Sequence, residues 1–407
     1  MTVEKLNHLL HDFLTELEAG GTRKGAEHII TGFKQAEGGS GPRCLLAGFG
    51  QRLFLRMNSN SYLGLSFHPR VIAAEEKAAR VFGTGPGAVR FISGTYAPHI
   101  ELENRLAAFH GRPAAMIYSA AYAAVMGVLP PLINEDTIVL SDALNHNCII
   151  NAMRLARPAG KIIYRHLDMN DLENRIKTCA GQAGRLLVVT DGIFSMRGDH
   201  APLHEITAIC RQYEENFNEG IITVVDDSHG VGAFGETGRG VEEYTGARAD
   251  ILVATLGKAF GVNGGYVAAD RNVIDYLRET SPFYVYSNPI TPSEAAAASE
   301  ALALVDGSEG KKHLAVLRQM TGRLQEGLAL LGLETIAGEH PIVPLMIRDS
   351  GRTAALVQYL FEKNILVTGL NYPVVPKGDE EIRFQVSAGH TEKDIDYVLS
   401  VLDGFDL

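Results

Sequence analysis

The sequence predicts an α/β protein, a doubly wound domain on a mostly parallel sheet followed by a smaller α+β domain. Three observations predict it. Short apolar runs alternate with helical patterns from about residue 52 to residue 291. Two of those runs, 186–190 and 221–225, are continuously apolar, as strands buried on both faces of a parallel sheet are. After Pro292 the texture changes to long alanine- and leucine-rich helical stretches and then to further strands. Strand–helix alternation of this kind puts functional loops at the carboxyl ends of the strands.

Taken in order, the chain opens on an amphipathic helix with Leu6, Leu9, Leu10, Phe13 and Leu14 at helical spacing. Candidate strands of the large domain cover 114–118, 137–140, 161–164, 186–190, 221–225 and 251–254, and helical patterns cover 99–110, 147–156, 172–179 and 203–217. The C-terminal part shows strands near 342–347, 365–368 and 382–386, with helices between and after them. The expected division is an N-terminal helix with a short strand segment over 1–57, a large domain over 58–290 and a small domain over 291–407.

At about 150 residues per domain, 407 residues correspond to two or three domains. With 37 Lys and Arg against 48 Asp and Glu, the formal charge is −11, which argues against nucleic acid as a partner. Cys44, Cys148, Cys179 and Cys210 show no paired spacing and read as reduced, buried thiols of a cytoplasmic protein. The charged N-terminus has no signal-type apolar core. The uncharged stretch between Arg112 and Glu135 is broken by Gly127 and Pro130-Pro131, so it reads as a strand and a buried helix, and no membrane partner is expected. No metal-ligand spacing stands out.

Glycine-rich segments are the first rivals for function. Gly230-Val-Gly-Ala-Phe-Gly235 matches a dinucleotide fingerprint, but Asp226-Asp-Ser-His229 separates it from its strand and no helix start follows it. Gly257-Lys258 is not a nucleotide-triphosphate loop, and Gly83-Thr-Gly-Pro-Gly87 has no lysine.

Lys258 is a stronger candidate. Most lysines are solvated loop residues, yet this one follows a buried strand among small residues and glycines, with no neighbouring charge. Lost hydration lowers a lysine's pKa and makes it a Schiff-base former. Asp226 and His229 end another buried strand. A strand-end aspartate is often only a turn former, but a carboxylate that keeps a pyridine nitrogen protonated is what pyridoxal phosphate chemistry requires. His229 can hold the ring's phenolate oxygen, and His146 also follows a strand and can stack on the ring.

The motifs Asn60-Ser-Tyr-Leu-Gly-Leu65, Arg90-Phe-Ile-Ser-Gly-Thr95, Ser141-Asp-Ala-Leu-Asn-His146, Asp191-Gly-Ile-Phe-Ser-Met196, Asp226-Asp-Ser-His229 and Thr255-Leu-Gly-Lys258 fall in one order. In that order the chain, from about Asn58 onward, resembles the α-oxoamine synthases, pyridoxal phosphate enzymes of fold type I. The resemblance implies a large cofactor-binding domain with a seven-stranded, mostly parallel sheet and a small C-terminal domain. Near the end, Tyr372-Pro-Val-Val-Pro-Lys-Gly378 and Ile382-Arg-Phe-Gln-Val-Ser-Ala388 look most like glycine C-acetyltransferases, which join glycine to acetyl-CoA. An 8-amino-7-oxononanoate synthase or 5-aminolevulinate synthase type is the alternative, and an aminotransferase a more distant one.

Carried over position by position, the resemblance implies pyridoxal 5′-phosphate as a Schiff base on Lys258. Asp226 partners the pyridine nitrogen, His229 the phenolate oxygen, and His146 stacks on the ring. Ser195 and Thr255 become cofactor contacts, and the backbone amides of Ala121 and Tyr122 meet the phosphate at a helix start. Asn60 and Arg383 become holders of the substrate carboxylate, a task suited to the planar guanidinium. The competing reading of Arg383 is a surface ion pair with Glu380 or Glu381. Ser287 and Asn288 match a segment that reaches a neighbouring subunit's phosphate, implying a homodimer with shared active sites. The expected substrates are an acyl-CoA and an amino acid, with a bias to glycine. Arg23 and Lys24 are cations available to the anionic coenzyme, without a motif to support them.

Overall fold

The structure is a computed structural model that describes residues 2–20, 23 and 26–406, so Lys24 lies outside the described residues. Seven strands form the central sheet: β1 (Ala114–Tyr118), β2 (Thr137–Asp142), β3 (Gly160–Tyr164), β4 (Arg185–Asp191), β5 (Ile221–Asp226), β6 (Ile251–Thr255) and β7 (Gly265–Ala269). Their spatial order is β1-β7-β6-β5-β4-β2-β3. The pairs from β6 to β3 are parallel, and β7 lies antiparallel to both β1 and β6. The sheet is seven-stranded and mostly parallel, as expected.

Every residue of β1, β2, β6 and β7 is buried, because helices cover both faces. One apolar layer joins Val128, Ile149, Val189 and Val253 under the helices Ala121–Leu132 and Asn147–Ala156. Another joins Leu140, Ile176, Val188 and Ile206 under Met169–Cys179 and Leu203–Tyr213. Six strands lie where the apolar runs place them. The seventh, β7, is absent from those expectations.

The helix Pro292–Val305 starts at a capping box, in which Thr291 and Glu294 each satisfy the other's backbone N–H. Its alanines let it lie close against Pro69–Phe82 and Ala97–Phe109, so it belongs to the same apolar core as the large sheet. Beyond it, Ser308–Leu330, Ser350–Glu362 and Glu392–Asp403 accompany a three-stranded antiparallel sheet in the order Ile342–Met346, Glu381–Gln385, Thr368–Leu370. The run expected as one strand over 365–368 is divided. Ile365–Leu366 pairs in parallel with Leu55–Arg56, whereas Thr368–Leu370 turns to pair with Glu381–Gln385.

The first helix, Thr2–Ala19, forms as its periodicity predicts, but its apolar face is open to solvent, with Leu9 68% exposed. Arg23 pairs with Glu18 at 2.6 Å. All four cysteines are free and buried. Among the described residues no helix is long and apolar enough to cross a membrane, and no cluster of side chains is arranged to hold a metal.

Candidate active site

The site sits at the carboxyl edge of the central sheet. Strand register brings Asp191 at the end of β4 directly beside Asp226 at the end of β5. Lys258 stands in the connection between β6 and β7, and Ala121, Tyr122, His146, Ser195 and His229 close the same cavity. Seven of the residues singled out from sequence thus line one cavity.

Asp226 accepts hydrogen bonds at Oδ1 from the Ser228 amide (3.1 Å) and hydroxyl (2.5 Å), and its Oδ2 accepts from the Cys148 thiol at 3.6 Å. Asp191 accepts from the His146 amide at 3.0 Å through Oδ2, while its Oδ1 is buried without a partner. Burial and then the adjacent Asp226 hold the Asp191 carboxyl well above the usual carboxylate range. Burial lowers Lys258 to about 8, although Asp226 and Asp191 pull the other way.

His146 caps the helix Asn147–Ala156, its Nδ1 accepting from the Cys148 amide at 3.3 Å. That bond places the neutral ring's proton on Nε2. Burial keeps the imidazole's pKa below its ordinary value. His229 bonds through Nδ1 to the Tyr62 hydroxyl at 2.8 Å, and burial followed by the nearby Lys258 charge lowers its pKa well below the ordinary range.

Tyr62 links this cavity to the small domain. Its hydroxyl donates to Asn60 Oδ1 at 3.2 Å, and Arg383 Nη2 approaches the same oxygen at 3.5 Å. Arg383 is 9% exposed, its Nε is buried without a partner, and burial lowers its pKa. It makes no ion pair with Glu380 or Glu381. Glu380 instead accepts from the Gly378 amide at 3.0 Å, and burial raises the Glu381 carboxyl to about 8.

Thr255 lies just behind the cavity, its hydroxyl donating to the Gly264 carbonyl at 3.1 Å and accepting from the Gly257 amide at 3.0 Å. Ser287 and Asn288 are outside the cavity, half-buried and exposed respectively. Asp191, Cys148 and Tyr62 were not singled out from sequence. The pairing of Asp191 with Asp226 was the available signal, since each ends a continuously apolar strand.

The donor set fits pyridoxal phosphate. No side chain caps the helix Ala121–Leu132, so its opening N–H groups are left for an anion. Gly265, the first residue of β7, lies against that helix start, and a Cβ there would collide with the Ala121 amide. By contrast, the glycines of the dinucleotide-like match serve packing, since a Cβ at Gly230 would strike the buried Asp227 carboxylate.

Residues 53–402 match the aminotransferase class I and II family. The chain belongs to that family. Among curated relatives, the 8-amino-7-oxononanoate synthase of Thermosipho melanesiensis is 39% identical over 347 residues, 85% of this chain and 86% of its own length. That of Geobacter metallireducens is 38% identical over 372 residues, 91% of this chain and 92% of its own. The serine palmitoyltransferase of Sphingomonas wittichii superposes with a TM-score of 0.87 at 28% identity, covering 98% of this chain and 96% of that one. A serine palmitoyltransferase variant of S. paucimobilis with bound PLP and myriocin superposes equally well, with a TM-score of 0.87 at 26% identity over 99% of this chain and 97% of that one.

Within the family the chain is an α-oxoamine synthase, a pyridoxal-phosphate-dependent acyltransferase. These relatives correct the leaning toward glycine C-acetyltransferase and favour the 8-amino-7-oxononanoate synthase alternative. The reason is physical. Of the two segments behind that leaning, 382–388 includes the strand that presents Arg383 and Gln385 beside Asn60, and 372–378 lies outside the cavity of Lys258.

Proposed function

We propose that the chain makes an α-amino ketone of the 8-amino-7-oxononanoate type. The product in the relatives' name, cut between its ketone and its amino-bearing carbon, leaves alanine without its carboxylate and a seven-carbon acyl group ending in a second carboxylate. The observation that carries the amino-acid half is Arg383, a buried guanidinium without an acidic partner among the described residues.

Pyridoxal phosphate, when bound, supplies the electron sink for the amino-bearing carbon. Ala121 and Tyr122 would hold its phosphate with their amides, Thr255 and Ser195 would lie alongside it, Asp226 would hold the ring nitrogen, and His229 would face the phenolate oxygen. Arg383 and Asn60 grip the amino acid's carboxylate. Lys258, whose amine gives up its proton near pH 8, takes the proton from the amino-bearing carbon. That carbon bonds to the thioester carbonyl, the carbon–sulfur bond breaks and the thiolate leaves. His146 donates from Nε2 toward the oxyanion that forms in between. The amino acid's carboxylate departs as carbon dioxide, and Lys258 returns its proton to the carbon. In a homodimer, Ser287 and Asn288 reach the neighbouring subunit's phosphate site.

The test is thiol release by the cofactor-loaded enzyme from two substrate pairs. Alanine with 6-carboxyhexanoyl-CoA is expected to exceed glycine with acetyl-CoA by at least about tenfold in kcat/KM, since each methylene in a fitted pocket is worth that order. The reverse ratio overturns the reading.

A further inference from the structure

A second cavity, of about 430 Å³, lies on the other side of the wall formed by Ser59, Asn60, Ser61, Tyr62 and Leu63. The side chains of this segment divide between the two sides. Asn60 and Tyr62 serve the Lys258 side, through Arg383 and His229, while Ser59, Ser61 and Leu63 line the second cavity. Its volume is in the range of small-molecule sites, about 300–1,000 Å³.

The charges lining this cavity are already engaged, with one exception. Arg43 is paired with Asp394, and His68 with Glu309 at 2.9 Å. His390 accepts from the Ser387 amide at 3.1 Å and bonds to the Arg56 carbonyl at 3.1 Å. Arg56 has no carboxylate within ion-pair distance among the described residues. Its guanidinium is held by the Ser59 hydroxyl at 2.8 Å and lies over the Phe33 ring at 5.5 Å. The Ser61 hydroxyl is buried in the same wall with no hydrogen-bond partner. Phe33, Phe67 and Leu63 supply apolar surface. A fixed cation, an unused hydroxyl donor and an apolar lining together fit a hydrocarbon chain that ends in a carboxylate.

We propose that this cavity binds such a chain, its carboxylate on Arg56 and Ser61 and its methylenes against Phe33, Phe67 and Leu63. The inference rests on the proposed function only in the choice of a seven-carbon probe. Two sources supply this chemistry, the far end of the acyl donor or a free acid, and the shared wall couples either one to Asn60 and Tyr62.

Calorimetric titration of the cofactor-loaded enzyme with heptanedioate tests it, with 1,7-heptanediol as the uncharged control. Heptanedioate is expected to bind and the diol not. Arg56→Gln is expected to weaken binding at least tenfold, Ser61→Ala to weaken it less, and Arg56→Lys to restore part of it. Absence of heptanedioate binding, or equal binding by Arg56→Gln with its cofactor spectrum intact, overturns the proposal. Steady-state kinetics then separate the sources. A raised KM for the acyl thioester in Arg56→Gln, with the amino-acid KM unchanged, identifies the donor's tail. An unchanged donor KM together with lost heptanedioate binding identifies a free acid. Failure of the substrate reading appears separately, as absent thiol release from 6-carboxyhexanoyl-CoA by the unsubstituted enzyme.

Discussion

Two acid clusters occupy the carboxyl edge of one sheet, built from equivalent strand ends but wired in opposite ways. At the end of β2, Asp142 bonds to His166 at 2.8 Å, and the same imidazole reaches Asp199 at 3.2 Å, which Arg197 also contacts at 2.9 Å. Two strands away in the sequence, Asp191 and Asp226 stand side by side, and among the described residues neither of them nor Lys258 forms an ion pair. The closed cluster is neutralised within the chain, and its interactions stabilise the fold. The open cluster leaves charges and donors whose partners have to arrive with a ligand. The closed cluster also serves the open one, because Asp199 and Arg197 belong to the loop that presents Ser195, and Phe194 stacks edge-on against His166 at 4.4 Å.

This contrast can be broken by substitution. The largest effect is expected for Lys258→Ala, a loss of turnover of at least about 10³-fold in the cofactor-loaded enzyme, measured by thiol release. Asp226→Asn should reduce turnover by about 10²-fold, yet it should leave the melting temperature of the cofactor-free protein unchanged or higher, since it removes a like charge beside Asp191. A fall of several degrees would erase the distinction between the clusters.

In the closed cluster the opposite holds. Asp142→Asn should lower unfolding free energy in urea by about 1–3 kcal/mol, because either His166 or the Leu167 amide loses its acceptor and His166 loses a counter-charge. Finest in scale is the pH dependence. Burial alone would lower His166, but its hydrogen bonds to Asp142 and Asp199 outweigh that and raise it to about 9. A pKa raised in the folded state contributes stability that is complete below the unfolded value, about 6.5, and is lost as pH rises through 9. The stability difference between the natural chain and His166→Gln should therefore shrink between pH 6.5 and 9.5 in urea titrations. A difference that stays constant over that range would show that His166 acts by packing alone.

The parts of the molecule that declare themselves locally were legible in the sequence. Short apolar runs marked six strands, and the positions of Lys258, Asp226 and His229 at strand ends marked the cavity. What escaped depends on neighbours distant in the chain. β7 begins with a glycine, which lowers strand propensity, and the reason for that glycine is the backbone of Ala121 more than a hundred residues earlier. The 365–368 run reads as one strand, although its two halves answer to different partners, Leu55–Arg56 and Glu381–Gln385. Tyr62 looks like a core aromatic until its hydroxyl is found on His229. The amphipathic pattern of Thr2–Ala19 foretold a helix but not where its apolar side goes.

The connection that carries Lys258 joins two antiparallel neighbours, β6 and β7, with Thr255 opposite Gly265. It is pinned internally, the Val262 amide donating to the Leu256 carbonyl at 3.0 Å and the Gly261 amide to the Lys258 carbonyl at 3.1 Å. The other strand connections pass through helices, where an added residue can be absorbed in a loop. Here a single insertion has only two ways to go. Either it bulges at the lysine itself, or it slips β7 by one position and turns Tyr266 and Val267 to the wrong faces of the sheet. A residue added between Thr255 and Gly265 is therefore expected to disturb Lys258 or the sheet more than one added to a helix-containing connection.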